Sequence, residues 1–121
     1  MKKVLLALAL IIGTSSIADA GELDGKAVWG PMHSKGLVFA GGEVTTYYVT
    51  GYAIFYDKEG SYFLRGTSEV KWSSTSYGGP VYLNRETLKT RAYGQCEISS
   101  KQIIIMILKT IISNAKKKNK I

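Results

Sequence analysis

The sequence predicts a mainly β protein, a small antiparallel meander or barrel-like sheet followed by one C-terminal amphipathic helix. The chain of 121 residues contains 13 Gly and 13 aromatic residues (8 Tyr, 3 Phe and 2 Trp) but only 2 Pro, a balance typical of many strands joined by turns. Short apolar runs alternate with turn residues at intervals of about eight to twelve positions from 22 to 98. Helical periodicity begins only after this stretch.

The first twenty residues have the composition of a bacterial signal peptide. Met1-Lys2-Lys3 is a short basic start, residues 4–12 form an apolar run of about half a membrane span, and Ala18-Asp19-Ala20 fits an A-x-A cleavage site. A buried N-terminal helix is the alternative interpretation. We expect a mature chain of residues 21–121 in the periplasm or outside the cell.

Residues 21–98 form the predicted antiparallel β domain. Gly41-Gly42 fits a two-residue primed hairpin turn, and residues 57–60 (Asp-Lys-Glu-Gly) fit a four-residue turn closed by glycine. Because the connections are too short for crossover helices, we expect neighbouring strands to be antiparallel. The predicted strands span residues 23–29, 36–40, 43–50, 52–57, 61–66, 68–74, 80–84, 87–93 and 95–98.

Alternation along the strands predicts one buried and one solvated face. Val70 and Trp72 alternate with Lys71 and Ser73, so the first two should point into the protein.

Residues 44–56 alternate less cleanly, because aromatic and aliphatic side chains compete for the buried face. The candidate ligand face consists of Tyr47, Tyr48, Tyr52 and Tyr56. The alternative is that tyrosine occurs here because it favours strands. The partners we consider are a small apolar ligand inside the β body or an envelope protein on these tyrosines.

Residues 99–118 form the predicted helix, with a basic tail to Ile121. Ser99-x-x-Gln102 has capping-box form, and at 100° per residue the apolar side chains gather on one side. This face could pack across the open end or an uncovered face of the β body, lie on a membrane surface, or dock in a partner or a second copy. The candidate membrane or partner contacts are Ile104, Leu108, Ile111, Lys116, Lys117 and Lys118.

Charge is divided unevenly along the predicted mature chain. Residues 21–100 contain eight basic and eight acidic side chains, whereas residues 101–121 contain six lysines and no acid. The body therefore has no basic excess with which to bind nucleic acid, and we expect no nucleic-acid partner.

The sequence offers little of the patterning that catalysis requires. The single histidine, His33, lies in a predicted loop, and no nucleophile elbow accompanies it. Of the carboxylates that could form a glycosidase pair, Asp57 and Glu59 lie in the predicted turn and should be solvated. P-loop, dinucleotide-binding, EF-hand and HExxH motifs are absent from the sequence. We predict a protein that is not an enzyme, with no catalytic residue, cofactor or metal.

Cys96 is the single cysteine, so an internal disulfide is excluded. An odd cysteine in an exported protein is either an unpaired thiol or an intermolecular partner. Cys96 could pack as an inert small hydrophobe or form a disulfide with a second chain, and the adjacent Glu97 disfavours a reactive thiolate. We expect a monomer or a Cys96-linked dimer.

Several short segments resemble a group of small exported bacterial proteins without an assigned activity. They are Leu23-Asp24-Gly25-Lys26, Gly51-Tyr52, residues 81–88 (Val-Tyr-Leu-Asn-Arg-Glu-Thr-Leu), Gln95-Cys96 and the lysine-rich end at 116–121. The resemblance implies a cysteine shortly after the first segment that pairs with the equivalent of Cys96. Because this chain has Val28-Trp29-Gly30-Pro31 there, the resemblance implies a lost disulfide, which typically contributes about 2–5 kcal/mol.

The sequence therefore predicts an exported, small, non-enzymatic binding or structural protein of the bacterial envelope. The alternative is a peripheral membrane-associated protein that contacts lipid through the basic C-terminal helix.

Overall fold

The computed structural model describes residues 21–118, and the predicted signal peptide at 1–20 lies outside them, as do residues 119–121. The described residues form nine antiparallel strands in one nearly closed, barrel-like sheet, followed by one helix. This confirms the predicted fold class. The elements are β1 Ala27–Gly30, β2 Lys35–Ala40, β3 Glu43–Thr50, β4 Ala53–Arg65, β5 Glu69–Ser74, β6 Gly79–Asn84, β7 Lys89–Thr90, β8 Gly94–Gln95, β9 Glu97–Ser99 and α1 Lys101–Lys118.

The two edges of the sheet meet at Cys96. Strands β1 to β8 pair in chain order, and β9 pairs with the other side of β1. Since Cys96 alone separates β8 from β9, the chain steps from one edge of the sheet to the other at this residue. Strands β7 and β8 have two residues each, so the barrel keeps an open seam beside β9.

The inner face of the barrel forms the main core. Val70 and Trp72 are 0% and 1% exposed, which confirms the predicted alternation in β5. Phe39 lies between two other rings, with centroids 5.2 Å from Tyr62 and 5.9 Å from Trp72. The buried members of this core are Leu23, Val28, Leu37, Phe39, Val44, Tyr62, Val70, Trp72, Val81, Leu83, Tyr93 and Cys96.

The predicted turn at residues 57–60 is wrong, because these residues lie inside the 13-residue strand β4. Val44 pairs with Gly60 and Thr45 with Lys58, which leaves Glu59 as the extra residue of a β-bulge. A glycine beside charged residues suits a bulge as well as a turn, and pairing with β3 and β5 decides between them.

The predicted strands at both ends of the β domain are shorter in the structure. Residues 21–25 form turns, so the first strand begins at Ala27 rather than at residue 23. The predicted strand 87–93 is replaced by β7 and β8 with a turn between them. By contrast, Gly41 and Gly42 form the predicted hairpin turn, with φ of 60° and 75°.

Helix α1 packs on the outer face of the sheet. Ile104 and Leu108 are fully buried there against Ala27, Trp29 and Val38, in a second core separate from the barrel interior. The amide of Ile103 donates to Ser100 Oγ at 3.1 Å, so the cap lies one residue after the predicted Ser99, which β9 uses to pair with Ala27.

Candidate ligand-binding site

The barrel contains a cavity of about 360 Å³ at its open seam, called here the seam cavity. Its walls come from three separate parts of the chain: the turns before β1, the loop between β6 and β7, and the edge strand β9. The apolar residues that line it are Leu23, Ala27, Val28, Phe39, Leu83, Leu88 and Ile98.

The first wall is held in place by Asp24 and Tyr62. The Tyr62 hydroxyl donates to Asp24 Oδ1 at 2.9 Å and accepts from the Leu23 amide at 2.8 Å. Asp24 also accepts from the Gly42 amide at 2.9 Å. Burial, together with the bond to the Asp24 carboxylate, raises the pKa of Tyr62 to about 12. These bonds keep Leu23 inside the barrel.

The second wall is a loop fixed by Asn84. Its side-chain oxygen accepts from the amides of Glu86 and Thr87 at 2.8 and 2.9 Å, which forms an Asx turn. Leu88 follows with a φ of 63°, a left-handed conformation that is costly for a residue with a β-carbon. Its carbonyl accepts from the Cys96 amide at 2.8 Å, so the strained Leu88 is tied to the seam.

The third wall is Ile98 on β9, which is far more exposed than Val28, the residue it pairs with. Ile98 pairs with Val28, a member of the barrel core, so the two side chains share the inner face of the sheet. Val28 is 6% exposed, whereas Ile98 is 79% exposed. Ile98 lies on the edge strand β9, where it borders the cavity and is mostly open to solvent.

Two cations lie among the lining residues of the seam cavity. Lys26 is exposed, and within residues 21–118 it forms no ion pair. Arg85 Nη2 donates to Glu22 Oε2 at 2.8 Å, which joins the first wall to the second. The cavity thus combines apolar walls with positive charge.

A polar cluster away from the seam cavity surrounds Glu59, whose carboxylate accepts hydrogen bonds from neighbouring residues. The carboxylate is 6% exposed, which corrects the prediction that it is solvated. It accepts from the hydroxyls of Ser74, Thr75 and Ser76 and from the Thr75 amide, at 2.8 to 3.1 Å. Burial alone would raise the pKa of Glu59, but these bonds outweigh it and lower the pKa. The carboxylate therefore anchors the β5–β6 turn.

The four candidate tyrosines do not share one face. Tyr47 and Tyr56 are paired across β3 and β4 with ring centroids 5.7 Å apart, on the face that carries α1. Tyr48 points to the opposite face and stacks on Phe55 at 6.1 Å, while Lys116 Nζ lies 5.7 Å from the ring of Tyr52 in the β3–β4 turn. Strand pleating places Tyr48 on the face opposite to Tyr47 and Tyr56. None of the four tyrosines lines the seam cavity.

The candidate contacts on the helix differ in accessibility. Ile104 and Leu108 are 0% exposed, so they can reach a membrane or partner only if α1 leaves the sheet. Ile111 is half-buried against the same outer core. Lys116, Lys117 and Lys118 are exposed in the last turn.

Cys96 is a buried thiol in the barrel core, 3% exposed. Burial raises the pKa of the Cys96 thiol, and the negative charge of Glu97 raises it further. A disulfide to a second chain would require the seam to open at this residue.

Other chemistry-bearing residues stay apart. His33 is exposed in the β1–β2 loop, 6.3 Å from the Tyr93 ring. Among residues 21–118 there is no group of three His, Cys, Asp or Glu side chains able to hold a metal ion. In the same part of the chain, no helix has the length and apolarity to cross a bilayer.

Sequence reasoning missed Lys26, Arg85 and Ile98 as site residues. The available signal was the pair of segments at 23–26 and 81–88, which carry the resemblance described above and contribute residues to the same cavity.

Compared with family models, curated proteins and solved structures, the chain matches none of them.

Proposed function

We propose that this chain is an exported, non-enzymatic binding protein of the bacterial envelope that holds a small, largely apolar ligand in the seam cavity. The observation that carries the proposal is the mainly apolar lining of the cavity, which includes the 79% exposed Ile98 at its border. Water-exposed apolar surface is unfavourable by about 25 cal/mol per Å², so an apolar ligand that covers Ile98 and the cavity wall gains free energy from the contact.

The size and composition of the cavity support a small ligand. Its volume of about 360 Å³ is at the lower end of the range of about 300 to 1,000 Å³ that is usual for ligand sites. Apolar walls with a few polar groups are the usual composition of such sites. The signal-like residues 1–20 support a location in the envelope.

A neutral straight-chain alcohol tests this proposal. Titration calorimetry with 1-decanol should show saturable binding of one molecule per chain. Ile98→Asp should abolish the binding, because it places a carboxylate at the open side of the cavity. Met106→Asp is the matched control, since Met106 is 66% exposed on α1 and does not line the cavity. Decanol binding that is absent, or that survives Ile98→Asp unchanged, contradicts the proposal.

The alternative function is peripheral membrane association through α1. It is favoured by the 51% exposed Ile103 and the 66% exposed Met106 on the same helix as Lys116–Lys118. The two variants separate the functions in a sedimentation assay with phosphatidylglycerol vesicles. Vesicle binding that is lost in Met106→Asp and kept in Ile98→Asp would favour the membrane function.

A further inference from the structure

We propose that the seam cavity recognises the head group of its ligand as well as the chain, and that the ligand class is a single-chain carboxylate of medium length, such as decanoate. This inference rests on the proposed function and adds to it the charge and the length of the ligand.

The cavity carries positive charge that neighbouring acids leave partly unmatched. Lys26 forms no ion pair within residues 21–118. Arg85 has five N–H donors, and its bond to Glu22 is made by Nη2. The nearby Asp24 is directed elsewhere, because its carboxylate accepts from the Gly42 amide and the Tyr62 hydroxyl. Lys26 and Arg85 are thus the charged residues that line the cavity, and a ligand with a negative head group meets both of them there.

Glu22 shows what type of group fits beside Arg85. Its carboxylate lies 2.8 Å from Arg85 Nη2, and both side chains are partly exposed, at 27% for Arg85 and 45% for Glu22. Carboxylates form short, charge-assisted hydrogen bonds with guanidinium groups. A ligand carboxylate can take the place of Glu22 or bind beside it to Lys26, so Glu22 acts as an internal competitor for the head group.

The volume favours a small ligand. The cavity of about 360 Å³ is at the lower end of the usual range for ligand sites, so we choose decanoate, with ten carbons and two oxygens, as a single-chain carboxylate of modest size. Its chain would cover Leu83, Leu88 and Ile98, while its carboxylate faces Lys26 and Arg85.

Three ligands with the same ten-carbon chain test the inference by titration calorimetry at pH 7 and low salt: decanoate, 1-decanol and decyltrimethylammonium. We expect decanoate to bind at least about tenfold more tightly than decanol, and the cation to bind more weakly than decanol. Equal affinity for decanoate and decanol would refute the recognition of charge and leave the proposed function standing. Failure of all three ligands to bind would instead refute the proposed function.

Variants of the charged residues locate the head group. Lys26→Met should weaken decanoate binding by about fivefold or more and leave decanol binding unchanged, because the stem of the side chain is kept. Glu22→Gln should tighten decanoate binding about threefold, since Arg85 loses its competitor. Lys58→Met, at an exposed lysine of β4 outside the cavity, is the control. Equal effects of Lys26→Met and Lys58→Met, or no gain from Glu22→Gln, would refute the assignment.

Discussion

Gly36 on β2 is the position at which the packing of the helix can be tested most directly. A β-carbon built there would clash with Ile104 Cγ2 and would lie 2.9 Å from Cδ1 and 3.1 Å from Cγ1 of the same side chain. The Cγ2 atom is attached to a branched β-carbon whose rotamer is restricted in a helix, so Ile104 cannot move aside without moving α1. We therefore expect Gly36→Ala to push the helix away from the sheet.

The magnitude follows from the two opposing effects of the added methyl. Overpacking a core typically destabilises a protein by about 1–3 kcal/mol. Replacing glycine by alanine reduces the entropy of the unfolded chain and returns about 0.4–1 kcal/mol. The free energy of unfolding of Gly36→Ala should thus fall by about 1–2 kcal/mol. Ile104→Ala alone should lower it by about 2–5 kcal/mol, because Ile104 is fully buried.

The two substitutions should be strongly coupled. In the Ile104→Ala background, all three atoms near the new methyl are gone and only the entropy effect remains, so Gly36→Ala should raise the free energy of unfolding by about 0.4–1 kcal/mol. Urea denaturation of the two single variants and the double variant measures this coupling, which should equal the overpacking effect of about 1–3 kcal/mol.

Gly79→Ala on β6 is the matched control, since a β-carbon there has no atom of the described residues within 4 Å. If Gly36→Ala is no more destabilising than Gly79→Ala, or if the two effects at Gly36 and Ile104 simply add, α1 does not pack over Gly36 as described.

Three further predictions concern the buried polar groups. Hydrogen bonds lower the pKa of Glu59, so its contribution to stability is present above the ordinary pKa near 4.5 and is lost as the pH falls through the lowered value. Glu59→Gln should therefore lower the free energy of unfolding at pH 7 by about 1–2 kcal/mol. Denaturation curves recorded at progressively lower pH should show this difference disappear. Tyr62 has a raised pKa of about 12, so the free energy of unfolding should fall as the pH rises from about 10 to 12. Tyr62→Phe should show a smaller fall over this range. At pH 7 the variant should be less stable by about 1–2 kcal/mol, because the hydrogen bonds of the Tyr62 hydroxyl to Asp24 and Leu23 are lost. The buried Cys96 thiol should resist iodoacetamide at pH 8 in the native protein and react in urea, and rapid native labelling detected by mass spectrometry would contradict its burial.

The two stability predictions with opposite pH dependence can be told apart within one titration series. Glu59→Gln differs from the parent protein at neutral pH and converges with it in acid, whereas Tyr62→Phe changes the alkaline limb. Convergence of Glu59→Gln with the parent only at alkaline pH would contradict the carboxylate's role in the β5–β6 turn.

The sequence by itself determined the local features of the fold. Alternation at Val70 and Trp72 is a direct consequence of strand pleating, so the buried face of β5 followed from spacing alone. Gly41-Gly42 determined a hairpin turn, because few residues other than glycine adopt a positive φ at both positions. The apolar face of residues 101–118 determined an amphipathic helix in the same way.

Only the tertiary structure decided the features that depend on partners distant in sequence. Residues 57–60 have the composition of a turn, and pairing with β3 makes them part of a strand with a bulge at Glu59, which is buried. The helix has an apolar face that suits a sheet, a membrane or another chain, and the absent side chain of Gly36 gives Ile104 its place on the sheet.

The seam cavity could not be predicted for the same physical reason. It exists because β7 and β8 are too short to close the barrel against β9, which leaves Ile98 mostly exposed on an edge strand. Glu22 and Arg85 are 63 positions apart in the chain and 2.8 Å apart in space. Local periodicity determines which way a side chain points, but only the closure of the sheet determines which distant side chains meet there.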